Sequence, residues 1–243
     1  MFPTVAGASL SDRSGLSAGF GRRRLRAVVF DLDGTLADTA ADIATAVNRV
    51  LARDGLAALG IEQVKPMIGD GSRKLLERAY LSAGARLDEA ELDAALGAFI
   101  ALYPVGTEAS AAAYSGVRAT LDRLAAAGLA LGVCTNKPQA PAERLVADLG
   151  LAGYFGALIG GDRLAVRKPD PRHVLAVLDA LGVPPSEAAM VGDGAQDIAA
   201  ARGACVPVIA FQSGYGAVPA DDLAADTVAL TFAEIPDLLA ALS

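Results

Sequence analysis

An α/β fold, built as an open, doubly wound parallel sheet with a small all-helical cap inserted after its first strand, is the architecture this 243-residue chain predicts. Three observations carry the prediction. Apolar runs break into polar, Gly-containing or Pro-containing turns at Ala27–Leu36, Leu129–Pro138 and Ala188–Asp197, as strands do where an open sheet carries its chemistry. From Gly116 onward helix-patterned and strand-patterned segments alternate, which implies parallel strands with helices on both faces. Between the first run and Gly116 no strand pattern appears, only helical periodicity.

In chain order, residues 1–24 are rich in Ser, Gly and Ala and end in Arg22-Arg23-Arg24. They read as a disordered leader, with a faint likeness to a transit peptide and no apolar secretory core. Ala27–Phe30 is a short buried strand. Ala40–Arg53 is helical, with Ile43, Ala46, Val47, Val50 and Leu51 at three- and four-residue steps. Further helices are expected over Glu62–Met67, Ser72–Ala83 and Asp88–Tyr103, with Ser72 and Asp88 as N-caps. Pro104 and Gly106 end this stretch, so the cap is placed at 42–106 and the core at 25–41 and 107–243. The core then continues with a helix at Val117–Ala127, a strand at Leu129–Cys134, a helix after Pro138 and a strand at Ala157–Ile159. Next come a helix capped by Asp170 with Pro171 in its first position, strands near Met190 and at Val206–Ala210, and a last helix at Ile235–Leu242.

Composition sets bounds. Hydrophobic residues make up 53% of the chain, enough for a sizeable core, and no apolar run approaches the ~20 residues of a membrane helix. A net charge of −7 argues against nucleic-acid or anionic-membrane partners, so any attraction for an anionic substrate must be local. Cys134 and Cys205 form neither a disulfide framework nor a zinc spacing, and a cytoplasmic location fits their use as small packing residues. His173 is the single histidine, read as a surface or partly packed residue.

Asp31 and Asp33 leave the first strand one residue apart and enter a Gly34-Thr35 turn. Alone, this segment fits a turn whose aspartates bond local backbone as well as it fits a catalytic strand end. Thr135-Asn136-Lys137-Pro138, Arg167-Lys168-Pro169-Asp170-Pro171 (after an apparent strand) and Gly192-Asp193-Gly194-Ala195-Gln196-Asp197 then follow in order. With these spacings the four segments resemble the motifs of the haloacid dehalogenase superfamily of phosphatases, over almost everything beyond the leader. The stretches Gly116–Gly128, Ile159-Gly160-Gly161-Asp162 and Gly214-Tyr215-Gly216 resemble its bacterial phosphoglycolate phosphatase subgroup.

The resemblance implies a Rossmann-like core whose cap closes over the sheet edge. It also implies a magnesium-dependent phosphomonoester hydrolase working through an aspartyl-phosphate, with 2-phosphoglycolate as substrate and glycolate and phosphate as products. Asp31 would be the nucleophile and Asp33 the general acid and later base, its protonation favoured by crowding from Asp31 and Asp193. Thr135, Asn136 and the helix start after Pro138 would hold phosphoryl oxygens, and Lys168 would neutralise nucleophile and phosphate. Magnesium would rest on Asp31, Asp193 and the main-chain carbonyl of Asp33, with Asp197 holding a metal-bound water, Lys168 or its helix start. Gly194 replaces the family's usual hydroxyl residue, which puts the turnover rate in question. Thr35 reads as a turn hydroxyl and Asp38 as a cap-helix contact.

Substrate choice would come from the loop Gly69–Lys74, where Arg73 as a fork and Ser72 with its helix N-terminus are placed to read a carboxylate; a solvent-facing helix start fits these residues equally well. The expected partner is a small phosphorylated metabolite, and the chain is expected to be a monomer or homodimer. A phosphatase for another small phosphoester or pyrophosphate, a phosphosugar mutase, and a catalytically silent phosphate-binding regulator stay open. Asp33 counts against a dehalogenase, which lacks the second acid.

Overall fold

The computed structural model describes residues 24–103, 110–212, 215 and 224–242. A six-stranded, all-parallel sheet runs in the order β5 (Phe155–Ile159), β4 (Ala130–Cys134), β1 (Ala27–Phe30), β6 (Ala188–Gly192), β7 (Val208–Phe211) and β8 (Thr227–Ala229). The chain moves outward from β1 in one direction through β4 and β5, then returns to build β6, β7 and β8 on the other side. The order reverses at β1, and a crevice opens there at the carboxyl ends of the strands.

All four residues of β1 are fully buried, as a central parallel strand requires. Its alternation divides the core into two layers. Val28 and Phe30 join a cluster with α5 (Val117–Ala126), α6 (Gln139–Asp148) and α9 (Ile235–Ala241), whereas Ala27 and Val29 join one with α7 (Pro171–Leu181) and α8 (Ala195–Gly203).

The expected all-helical stretch consists of α1 (Ala40–Arg53), α2 (Ile61–Val64) with a 3₁₀ turn over Lys65–Met67, α3 (Ser72–Ser82) and α4 (Glu89–Leu102). These helices pack around an apolar cluster of their own that includes Val47, Leu51, Leu76 and Phe99. Asp88 caps α4 through the Glu91 amide, with Glu91 returning the bond to complete a capping box. Ser72 is not a cap: Gly71, at φ 91°, takes that position and leaves Ser72 as the first helical residue.

Chain exit and return are stitched together. Two-residue strands β2 (Ala37–Asp38) and β3 (Ala112–Ala113) pair antiparallel. The Asp42 carboxylate, buried on α1, accepts from the Ser110 hydroxyl and amide and from the Ala111 amide. The leader up to Arg23, the predicted break at Pro104–Gly106, and Gly214 and Gly216 lie outside the described residues. Among those that are described, no helix is long and apolar enough to cross a membrane. Further departures from the sequence reading are that β2, β3 and β8 are additional strands and that Lys168 lies in a loop nine residues past the end of β5 rather than at a strand end.

Candidate active site

Register explains why the motifs meet. Phe30 of β1 lies level with Val133 of β4 and Val191 of β6, so Asp31, Thr135 and Asp193 emerge side by side where these strands end. The turn that carries Asp33 passes so close to Asp193 that a Cβ on Gly34 would stand 2.4 Å from Asp193 Oδ2, and its φ is 88°. Only glycine fits both the turn and the approach.

Lys168 organises the floor of the site. Its fully buried ammonium lies 2.7 Å from Asp31 Oδ1 and 2.6 Å from Asp197 Oδ1, and donates to the Cys134 carbonyl at 2.6 Å. These three acceptors match its three N–H bonds. Burial alone would lower its pKa, but Asp197 and Asp31 hold it raised and therefore charged. Asp197 also accepts from the Gly194 amide, so it takes two of its three anticipated positions, lysine partner and brace of the α8 start.

The lysine loop is fixed from behind by His173. Its ring is buried, not exposed, and Nδ1 accepts from the Lys168 amide at 3.2 Å. Burial and the neighbouring ammonium push its pKa down to about 4, so the imidazole is neutral. The Cys134 thiol is pushed up to about 12 by burial, consistent with its reading as a packing residue.

Asp31, Asp193 and Asp197 bring one carboxylate oxygen each within 4.8 Å of one another. Burial, then Asp197 and Asp193, hold Asp31 well above the usual carboxylate range despite Lys168. Burial and Asp197 likewise push Asp193 up to about 7, although the Thr35 hydroxyl (2.8 Å) and Tyr215 amide (2.8 Å) both donate to it. One lysine does not balance three buried carboxylates. Asp197 is tied to the Lys168 ammonium and the Gly194 amide, whereas Asp31 pairs with Lys168 through one oxygen only and Asp193 accepts only from neutral donors. Asp31 and Asp193 are therefore the pair that a hard divalent cation fits, with water completing its shell. The donor set thus suits magnesium. Thr35 donates to the Asp193 carboxylate and is more than a turn hydroxyl.

Asp33 faces different neighbours. The acid crowding expected around it falls on Asp31 and Asp193 instead. Asp33 Oδ1 accepts from the Thr39 hydroxyl at 2.7 Å and lies 3.1 Å from Lys137 Nζ. Lys137 also donates to the Tyr103 hydroxyl at 2.9 Å, with its ammonium 4.3 Å from that ring's centre. Burial opposes its charge, but Asp33 and Tyr103 hold its pKa raised. Sequence reasoning gave Lys137 and Tyr103 no role; the one signal was a lysine two residues past Thr135.

The phosphate-binding set is rearranged in part. Thr135 Oγ1 accepts from the Lys137 amide at 3.1 Å and keeps its own proton to donate. Asn136 spends its amide on two carbonyls, Gly69 at 2.8 Å and Lys168 at 2.9 Å, and so ties the helical unit to the lysine loop. At the start of α6 the Gln139 amide is not open to phosphate, because it donates to Asp162. Gly161 is needed close by, since a Cβ there would meet the Asn136 carbonyl oxygen at 2.4 Å. Asp38 holds the α1 start and the Tyr215 hydroxyl, as a cap-helix contact should.

A cavity of about 40 Å³ between core and helices is lined by Asp31, Asp33, Thr135, Asn136 and Lys137 below and by Ile43, Ile68, Ser72, Leu75 and Phe99 above. A wider cleft of about 480 Å³ adjoins it through Asp33 and reaches Asp193, Gln196 and Tyr215. Arg73 lines neither; it pairs with Glu89 and Asp93 on α4. Its anticipated carboxylate-reading position is therefore not met.

A family model described as haloacid dehalogenase-like hydrolase matches residues 25–204. The chain belongs to this family of hydrolytic enzymes. It is 44% identical over 218 residues to the phosphoglycolate phosphatase of Rhodospirillum rubrum, covering 88% of this chain and 90% of that one. It is 40% identical to the phosphoglycolate phosphatase of Agrobacterium fabrum, covering 87% and 91%. Among solved structures, a predicted phosphoglycolate phosphatase from Haemophilus somnus superposes with a TM-score of 0.83 at 29% identity, covering 90% of this chain and 99% of that one. CbbY from Rhodobacter sphaeroides, in complex with phosphate, gives 0.73 at 27%, covering 87% and 96%.

Proposed function

We propose that this chain is a magnesium-dependent, cytoplasmic phosphatase that converts 2-phosphoglycolate to glycolate and phosphate through a covalent aspartyl-phosphate. One observation carries the reading: Asp31 sits against a saturated lysine and beside Asp193, while Asp33, two residues on, faces the same cavity from a separate set of donors. The phosphoglycolate phosphatase names of relatives at 40–44% identity support the substrate, and the phosphate-bound CbbY supports phosphate binding on this fold.

In this reading an Asp31 oxygen attacks phosphorus, the P–O ester bond breaks, and the departing oxygen takes a proton from Asp33. Water then attacks the aspartyl-phosphate, Asp33 takes its proton, and Asp31 is released with phosphate. Lys168 favours the ionised form of Asp31 against burial and the neighbouring acids, and aims it. Thr135 donates to a phosphoryl oxygen. Ser72 offers its hydroxyl and the first turn of α3 from above. A magnesium ion on Asp31, Asp193 and the main-chain carbonyl of Asp33 would offset the repulsion between carboxylate and phosphate. The 40 Å³ cavity has room for only about three waters, so a substrate must also occupy the adjoining cleft or displace the helical unit.

Phosphate release from a panel of phosphoesters, with Asp31→Asn as control, tests this. 2-Phosphoglycolate is expected to give the highest kcat/KM, with magnesium required and the control silent. Comparable turnover of many esters, or release by the control, would overturn it.

A further inference from the structure

One cation in the cavity has no part in moving the phosphoryl group. Lys137 is the single basic residue among those lining the 40 Å³ cavity, whose opposite wall is apolar at Ile43, Ile68, Leu75 and Phe99. Two other basic candidates are engaged. Lys168 already donates to three acceptors, and Arg73 is held between two carboxylates away from the cavity. We propose that Lys137 of the core, together with the Tyr103 hydroxyl of the helical unit, receives the substrate's carboxylate and makes the enzyme select phosphoesters of 2-hydroxy acids over uncharged esters.

The inference rests on the phosphatase reading above and assigns the end of the substrate that reading leaves without a partner. Asp33 must sit within hydrogen-bond distance of the departing oxygen to protonate it. In a 2-phospho acid the carboxylate carbon is two bonds from that oxygen, roughly 2.5 Å away. Lys137 Nζ contacts the same Asp33 group at 3.1 Å, so a carboxylate placed there falls within reach of the ammonium. Among the described residues, Asp33 and Tyr103 occupy two of its three N–H bonds, and the third remains for a ligand. Tyr103 accepts from Lys137 and keeps its own proton to donate, and burial raises its pKa so that it stays neutral. The Lys137 side chain is only 4% exposed, and a carboxylate entering so dry a site needs a cation. Because the two donors come from the core and from the end of α4, carboxylate binding would also draw the helical unit down.

The test uses the full chain with magnesium and two isosteric substrates, 2-phosphoglycolate and its uncharged amide, 2-phosphoglycolamide. Wild type is expected to favour the acid by about 50-fold in kcat/KM, the scale of one charged hydrogen bond. Lys137→Gln, which still donates to Asp33, should cut that preference to below about 5-fold, mainly by raising KM for the acid. Lys137→Arg should preserve it. Tyr103→Phe, which keeps the Lys137–Asp33 pair, should lower it by about 3- to 10-fold and covers the case in which the lysine variants do not fold. An equal fall on both substrates in Lys137→Gln, an unchanged preference in Tyr103→Phe, or a wild type that ignores the carboxylate would overturn the inference and leave the phosphatase reading standing. Hydrolysis of neither substrate by wild type would overturn both.

Discussion

Lys168 and Lys137 each face one aspartate of the Asp31-Leu32-Asp33 segment, at 2.7 and 3.1 Å, and both are buried. Their surroundings differ. Lys168 meets two carboxylates and a carbonyl, all from the core, with its loop fixed from behind by His173. Lys137 meets one carboxylate of the core and one hydroxyl from the helical unit, above a cavity. A lysine whose donors are all taken sets a constant field on Asp31, the proposed nucleophile. A lysine with a donor to spare, and a partner on a separate unit, responds to what enters. The same residue type thus serves preorganisation in one place and recognition in the other.

The widest separation between the two pairs should appear on removing their acids. Asp31→Asn is expected to lower kcat by about 10,000-fold or more, since the side-chain amide cannot form the acyl phosphate. Its melting temperature should hold or rise, because Asp31 is held above its ordinary range mainly by burial, Asp197 and Asp193, and the neutral amide ends that repulsion. Residual turnover within tenfold of wild type would end the nucleophile assignment.

Replacing the lysines comes next. Lys168→Met leaves Asp31 and Asp197 buried without their cation, a change that typically costs about 3–5 kcal/mol. Lys137→Met strands only Asp33, which keeps its bond from Thr39, so its cost should be less than half as large. Urea unfolding of the two variants side by side measures the contrast, and equal losses would erase the distinction between a saturated and an open pair.

A third test addresses the metal pair through pH. Asp193 is pushed up to about 7, and Asp31 is raised in the same sense, so protons compete with a cation for both. Apparent magnesium affinity, followed by titration calorimetry, should weaken by up to about tenfold for each pH unit below 7. For the metal-free protein the sign is opposite. A carboxyl whose folded pKa lies above its unfolded value of 3.8 stabilises at low pH, and that contribution disappears as pH rises through about 7. The rise in melting temperature on adding magnesium should therefore grow between pH 5 and 8. A flat increment would place the cation elsewhere.

Much of this site could be read from the chain because its residues sit at strand ends. Strand ends are marked locally, by apolar runs that break at glycine or proline, and Asp31, Thr135 and Asp193 were visible on that ground. Lys168 was found by its motif but for the wrong structural reason, since it lies on a loop. What stayed hidden depends on contacts distant in sequence. Nothing near His173 announces that its ring closes under Lys168, and nothing near Gln139 says that Asp162 occupies the start of α6. Lys137 and Tyr103 are 34 positions apart and meet only because the helical unit returns over β4. The three-residue β8 and two-residue β2 and β3 are too short for periodicity to register.

The smallest expected effect falls on the residue the sequence nominated for specificity. Arg73 has the fork geometry that suits a carboxylate, but Glu89 and Asp93 on α4 hold it, and it borders neither cavity. Both acids are more than two-thirds exposed, and ion pairs at such positions contribute about 0–1 kcal/mol. To reach a substrate, the guanidinium would have to leave both partners, whereas Lys137 already stands at Asp33, the acid proposed to protonate the leaving oxygen. Arg73→Ala should therefore change kcat/KM for 2-phosphoglycolate by less than about 3-fold and leave the preference over its amide intact. A 20-fold rise in KM confined to the acid would mean that α3 rotates on closure and delivers Arg73 after all, and the division of labour between the two lysines would then be incomplete.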